Sequence, residues 1–367
     1  MFLMSLNTMS LFINAIFLFG LCLANAINFT TVYEWDKFDF FWPKGANSSY
    51  GQTEQSFNFS EVYFRYMAVD EKRLFLNLDP SPGIPATLVW LPKSGASTEP
   101  PKLSPFPSWD LHKNDNCDTI QEARGMKADT DGRLWVLDQG SSHCLSKLWI
   151  FDLENNDTIE RVHQFPDTVV SHSFDKRWLS DMVIDKTPDD DYLAYIADYR
   201  SEQIVVYYLK TNVSWPVKTP EFIWQSLAVS PNKEARQLLY LNRRSYSNKE
   251  LYTVSVSELE NEAGSAALRF IGNMTGIPYR MMIDSADVLY AAFYNQNNLS
   301  KWNISEPFLE QRFHEAAGVL RTGWPFAFAL DANDTFWMME RNQSGNETKH
   351  KLLKAAVGAK DSAHSQP

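Results

Sequence analysis

Cysteine is scarce: the 367-residue chain holds three, Cys22, Cys117 and Cys144. Without spaced histidine partners they do not compose a structural zinc site, and His143 beside Cys144 is a lone neighbour, so no metal is expected. Positive charge is also in deficit. With Lys+Arg at 34 against Asp+Glu at 45, the formal net charge is -11, which opposes the phosphate neutralisation that supplies most nucleic-acid affinity. A nucleic-acid partner is not expected. No hydrophobic run reaches the roughly 20 residues that a membrane-spanning helix needs, so no membrane span is expected. The Gly-x-Ser-x-Gly elbow, the His-Glu-x-x-His helix, the phosphate loop and the dinucleotide fingerprint are all missing, which removes support for hydrolase and NTPase functions and for a cofactor. His112, His143, His163, His172 and His314 are scattered, with no partner placed beside them by spacing, and read as loop or packing residues rather than general bases.

Hydrophobic residues make up 44% of the chain, ample for a packed core. The first 26 residues carry no Asp, Glu, Lys or Arg. Leu11 to Ala24 is nearly all apolar and runs into the small-residue triplet Ala24-Asn25-Ala26, the pattern of a signal peptide over 1–26. A single domain over 27–367 and a secreted, extracellular protein are expected. Sequons for N-glycosylation begin at Asn28, Asn47, Asn58, Asn156, Asn212, Asn273, Asn298, Asn303, Asn333, Asn342 and Asn346. Chance placement of the Asn, Ser and Thr in 27–367 predicts about 3 sequons. An excess this large fits a glycosylated surface. Cys22 leaves with the leader, so Cys117 and Cys144 are expected to pair.

One pattern repeats six times: an apolar stretch, an acidic turn, then an aromatic-rich strand. Its marker residues are Asp70, Asp129, Asp185, Ser230, Asp284 and Asp331, a mean spacing of about 52 residues, the size of one propeller blade. Asp131-Gly132 is a hairpin signal within the second repeat. A further short strand signal follows each of the first five pairs, at Ala86–Leu91, Lys147–Leu153, Ile204–Leu209, Leu251–Val256 and Leu299–Trp302. Helical periodicity is not sustained after the leader. The expectation is an all-β, six-bladed β-propeller with four-stranded blades around a central channel, its two ends sharing a blade. Trp35, Trp135, Trp149, Trp302 and Trp337 are read as packing between blades.

Specific segments resemble the yellow and major royal jelly protein family of arthropods across essentially all of 27–367. Gly83-Ile84-Pro85-Ala86-Thr87-Leu88 is similar to the family's Gly-Val-Pro-x-Thr-Leu, and Pro105-Phe106-Pro107-Ser108-Trp109 to its Pro-Tyr-Pro-x-Trp. Cys117 followed by Arg133-Leu134-Trp135-Val136-Leu137-Asp138-x-Gly140 is similar to its most recognisable block. Cys144 with Leu148-Trp149-Ile150-Phe151-Asp152-Leu153, and Tyr195-Ile196-Ala197-Asp198, continue the match. Departures are Asp131 where members commonly carry another Cys, Pro80-Ser81 where Pro-Arg is usual, and Lys349-His350-Lys351-Leu352-Leu353 where many read Asn-Phe-Arg-Ile-Leu. The resemblance implies a six-bladed propeller. For function it implies three classes: binding of a small aromatic amine or catechol-derived ligand in the channel, dopachrome conversion in melanin synthesis, or a structural or nutritive secreted glycoprotein that self-associates. Pigmentation, cuticle and eggshell are the settings it suggests.

Propeller geometry supplies the candidate ligand contacts, because polar residues at the ends of innermost strands face the channel. Asp138 and Asp198 end strand runs in the second and third blades, and Arg124 precedes the second blade's strand. A carboxylate there would pair with a protonated amine; alternatively, Asp138 and Asp198 cap turns through backbone N–H groups. Tyr279, Trp324 and Phe326 lie just before strands of blades five and six, placed either to stack on an indole or catechol ring or to pack between blades.

Overall fold

A computed structural model describes residues 27–42, 62–80, 83–93, 99–219, 221–231, 237–243, 249–260, 264–317, 323–344 and 347–357. The expected leader at 1–26 and the sequons at Asn47, Asn58 and Asn346 lie outside the described residues.

Short runs of β-branched and aromatic residues between turn signals form strands, and successive runs pair with their predecessors into antiparallel sheets. Blade 1 is Met67–Val69, Arg73–Asn77, Leu88–Pro92 and Ser104–Pro105. Blade 2 is Ala123–Ala128, Arg133–Asp138, Lys147–Asp152 and Thr158–Gln164. Blade 3 is Leu179–Lys186, Tyr192–Asp198, Gln203–Tyr208 and Val213–Lys218. Blades 4 and 5 open with Trp224–Val229 and Pro278–Ile283 and close with Arg269–Asn273 and Gln311–Glu315. Blade 6 takes Phe326–Leu330, Thr335–Ser344 and Glu347–Ala356 from the end of the chain and Thr30–Trp35 from near its start, in register from Thr30 opposite Lys354 to Trp35 opposite His350. The six-bladed propeller expected from the repeat is therefore the architecture observed, down to the shared closing blade.

The acidic marker of the repeat is a turn device. Asp129 accepts the backbone N–H groups of Asp131 and Arg133 at 3.0 and 2.9 Å and the Trp135 indole N–H at 2.8 Å. Asp284 repeats this with Ala286, Val288 and the Tyr290 hydroxyl, and Asp331 with Asn333, Thr335 and the Trp337 indole. One carboxylate thus closes the hairpin and fixes an aromatic ring that the interblade core needs. Ser230 keeps part of the device, its hydroxyl accepting from Leu238 N at 3.0 Å.

The core lies between neighbouring sheets. Phe75, Phe106 and Phe151 meet edge to face at 4.9 and 5.1 Å across blades 1 and 2, the arrangement that aromatic quadrupoles favour. Trp35, Trp135, Trp149, Trp302 and Trp337 are all buried. The inner strands of blades 2 and 3 run so close that a Cβ on Gly125 would lie 2.8 Å from Met182 N. Cys117 and Cys144 form the disulfide. Of the described sequons, Asn28, Asn156, Asn273 and Asn333 are exposed, and Asn212, Asn298, Asn303 and Asn342 are half-buried.

Candidate functional site

All six inner strands begin at the same end of the ring, and the residues there converge on the axis. They enclose a cavity of about 220 Å³ to which every blade contributes. Its wall carries the rings of Tyr66, Trp178, Tyr199, Tyr279 and Trp324, the guanidinium groups of Arg65 and Arg124, and Ser180 and Gln225.

Each lining arginine lies against a lining tryptophan. The Arg65 guanidinium carbon is 3.9 Å from the Trp324 ring centroid and that of Arg124 is 4.4 Å from Trp178, close enough for the ring quadrupole to attract the cation. Arg65 also pairs with Asp79, and Arg124 with Glu122. Burial raises the Glu122 carboxyl above its ordinary range, against the pull of Arg124. The Tyr279 hydroxyl donates to Phe326 O at 2.8 Å and accepts from Phe326 N at 2.9 Å, and burial pushes its pKa up against the Phe326 hydrogen bond.

Behind this wall a fully buried ion pair joins Arg280 of blade 5 to Asp181 of blade 3. Asp181 also accepts from Ser226 Oγ and Leu227 N of blade 4 at 3.1 and 3.0 Å, so one carboxylate ties three blades together at the axis. The Arg280 guanidinium carbon stands 5.2 Å from the Tyr66 ring centroid. Burial, then the Asp181 charge, push the Tyr66 hydroxyl up to about 12. Burial, reinforced by the Arg280 charge, brings the Lys127 ammonium down to about 8.

Three residues singled out from the sequence, Arg124, Tyr279 and Trp324, are brought together in this lining. Phe326 is not: its side chain is fully buried with Phe328 and Phe336, and only its backbone meets Tyr279. Asp138 and Asp198 also stand outside the lining. Asp138 accepts from Glu122 N and Gly140 N at 2.9 Å and from the Trp149 indole at 3.2 Å. Asp198 accepts from Trp178 N at 2.9 Å and Arg200 N at 3.0 Å. Burial raises both carboxyls against these hydrogen bonds. In blade 1 Asn77 occupies the same place, accepting Arg65 N at 2.9 Å and Tyr66 N at 2.7 Å. These strand-end acceptors hold the backbone from which the pocket wall grows.

Arg65, Tyr66, Trp178, Ser180, Tyr199 and Gln225 were not legible as site residues from motif reading. A signal for part of them exists. Counting five residues back from each marker gives Arg65, Arg124, Ser180, Gln225, Tyr279 and Phe326, and all but Phe326 line the cavity. Among the described residues there is no cluster of three metal-ligating side chains and no helix long and apolar enough to cross a membrane.

The fold and the axial pocket define a six-bladed propeller protein. Its overall shape is similar to a gluconolactonase from Xanthomonas campestris, with a TM-score of 0.55 and 11% identity over 90% of each chain, a likeness of fold alone. A luciferin-regenerating enzyme matches at a TM-score of 0.50 and 12% identity, over 81% of this chain and 92% of that one. In sequence, residues 122–238 match the signature of the family described as Major royal jelly protein. Major royal jelly protein 1 of Apis mellifera is 26% identical over 185 residues, 48% of this chain and 43% of that protein. Protein yellow of Drosophila madeirensis is 29% identical over 196 residues, 50% and 34% of the two chains. Protein yellow of Drosophila melanogaster is 24% identical over 300 residues, 70% and 54%. The chain spans about half or less of the length of these relatives, and over the matched residues it is similar to the yellow and major royal jelly proteins.

Proposed function

We propose that this protein is a secreted, yellow-like glycoprotein that holds a small planar aromatic molecule, of the catechol or indole kind, in its axial pocket, in the setting of pigmentation, cuticle or eggshell. The observation that carries this reading is the wall of five aromatic rings around a cavity of about 220 Å³. Such a cavity suits a one- or two-ring ligand, which ring faces grip by stacking. The charge-free leader and the excess of sequons support secretion, and the formed disulfide fits an oxidising compartment.

Binding is favoured over dopachrome conversion because, among the described residues, the lining holds no histidine, carboxylate or thiol to carry a proton near neutrality. The test is titration of the full protein with neutral indole and catechol, followed by tryptophan fluorescence and calorimetry. Saturable one-to-one quenching is expected, together with dopachrome decay that the protein does not accelerate. Absence of heat and quenching at high protein concentration overturns the reading and leaves the structural or nutritive role.

A further inference from the structure

Resting on the reading of this cavity as an aromatic-binding site, we propose that its ligand is an aromatic carboxylate rather than an aromatic amine. Among the described residues, the lining holds two guanidinium groups and no carboxylate. A protonated amine seated among the rings would face two fixed cations and find no lining anion with which to pair. Asp79, Glu122 and Asp181 are engaged by Arg65, Arg124 and Arg280, and Asp138 and Asp198 are held by backbone N–H groups. An amine would have to break one of these buried pairs, and leaving a buried charge uncompensated is strongly unfavourable.

A carboxylate meets the opposite situation. The guanidinium groups of Arg65 and Arg124 both reach the lining, and the Nε of each is not used by another protein group. Guanidinium remains charged at any working pH and presents its donors in a fixed fork that matches a carboxylate. Stacking against Trp178 and Trp324 holds both forks in place before a ligand arrives.

The experiment compares matched pairs on the full protein by calorimetry: indole-3-acetate against tryptamine, and 3,4-dihydroxyphenylacetate against dopamine, with neutral indole as reference. The carboxylates are expected to bind at least about tenfold more tightly than the amines, a gap of about 1.4 kcal/mol. Arg124→Gln and Arg65→Gln are each expected to lower carboxylate affinity about tenfold and to lower indole affinity much less. Arg124→Lys, which keeps the charge, should recover part of the loss and controls for misfolding. Amines that bind as tightly as the acids, or acid binding unmoved by both glutamine variants, overturn the proposal while the aromatic pocket stands. If indole, acids and amines all fail to bind, the reading of the pocket falls with it.

Discussion

The carboxylate of Asp198 accepts the backbone amide of Trp178 at 2.9 Å, so a residue outside the pocket sets the position of one of its walls. Asp198→Ala is expected to weaken ligand binding several-fold and to cost about 1–3 kcal/mol of stability, because the buried amides of Trp178 and Arg200 lose their acceptor. Asp198→Asn keeps an oxygen at that point and should stay close to wild type in both respects. Thermal unfolding and fluorescence titration of the two variants read the effect; equal binding by the alanine variant would remove Asp198 from any positioning role.

Gly125 sits where two inner strands nearly touch. A Cβ there would approach Met182 N to 2.8 Å, and backbone cannot swing aside as a side chain tip can. Gly125→Ala is expected to destabilise by about 1–3 kcal/mol through overpacking. Because Arg124 is its neighbour, affinity for an aromatic acid should fall as well. Denaturant unfolding and calorimetry together check both expectations.

Acid should weaken the fold well above the range in which carboxylates titrate. Burial, joined by the Arg341 charge, lowers His350 to about 3, and burial lowers His112 to about 4 despite the hydrogen bond from its Nε2 to Phe106 O. Both are neutral when folded but take up a proton near pH 6.5 when unfolded. Their contribution is therefore complete above about pH 6.5 and shrinks as pH falls toward the folded values. The melting temperature is expected to drop between pH 6.5 and 4, and His350→Phe, placed between Phe38 and Phe64, should flatten that slope. A slope identical to wild type would contradict this.

Joining Cys117 to Cys144 closes a separation of 27 residues, worth roughly 3.5 kcal/mol in the chain-entropy account. The bridged loop also abuts the pocket wall, because Arg177, next to Trp178, donates to Ser141 O at 2.9 Å and Cys144 O at 2.7 Å. The double variant Cys117→Ser, Cys144→Ser is expected to lose most of that stability and some affinity, measured by unfolding with and without ligand.

The blades were legible because each repeat encodes its own hairpin in a marker residue, and that local hydrogen bonding survives any tertiary context. Closure was expected from the ring alone, and the structure supplies its partner, Thr30–Trp35 against Glu347–Ala356. The pocket was harder to see. Asp138 and Asp198 stood out as polar residues at strand ends, but nothing local distinguishes a carboxylate facing a channel from one bound by backbone amides. Arg65 and Trp178 lie outside the apolar runs that define the repeat, and only convergence of blades far apart in sequence makes them neighbours. Phe326 sits at the lining position of its blade, yet it turns into the core beside Phe328 and Phe336.

The pairing of Thr30–Trp35 with Glu347–Ala356 has a consequence for biogenesis. Synthesis must pass residue 356 before the last sheet has all its members, so the opening segment waits, unzipped, while five earlier sheets assemble. Loop-closure entropy grows only slowly with such a span, but the delay leaves strand edges uncovered. A nascent molecule released early would be prone to join its edges to another copy's.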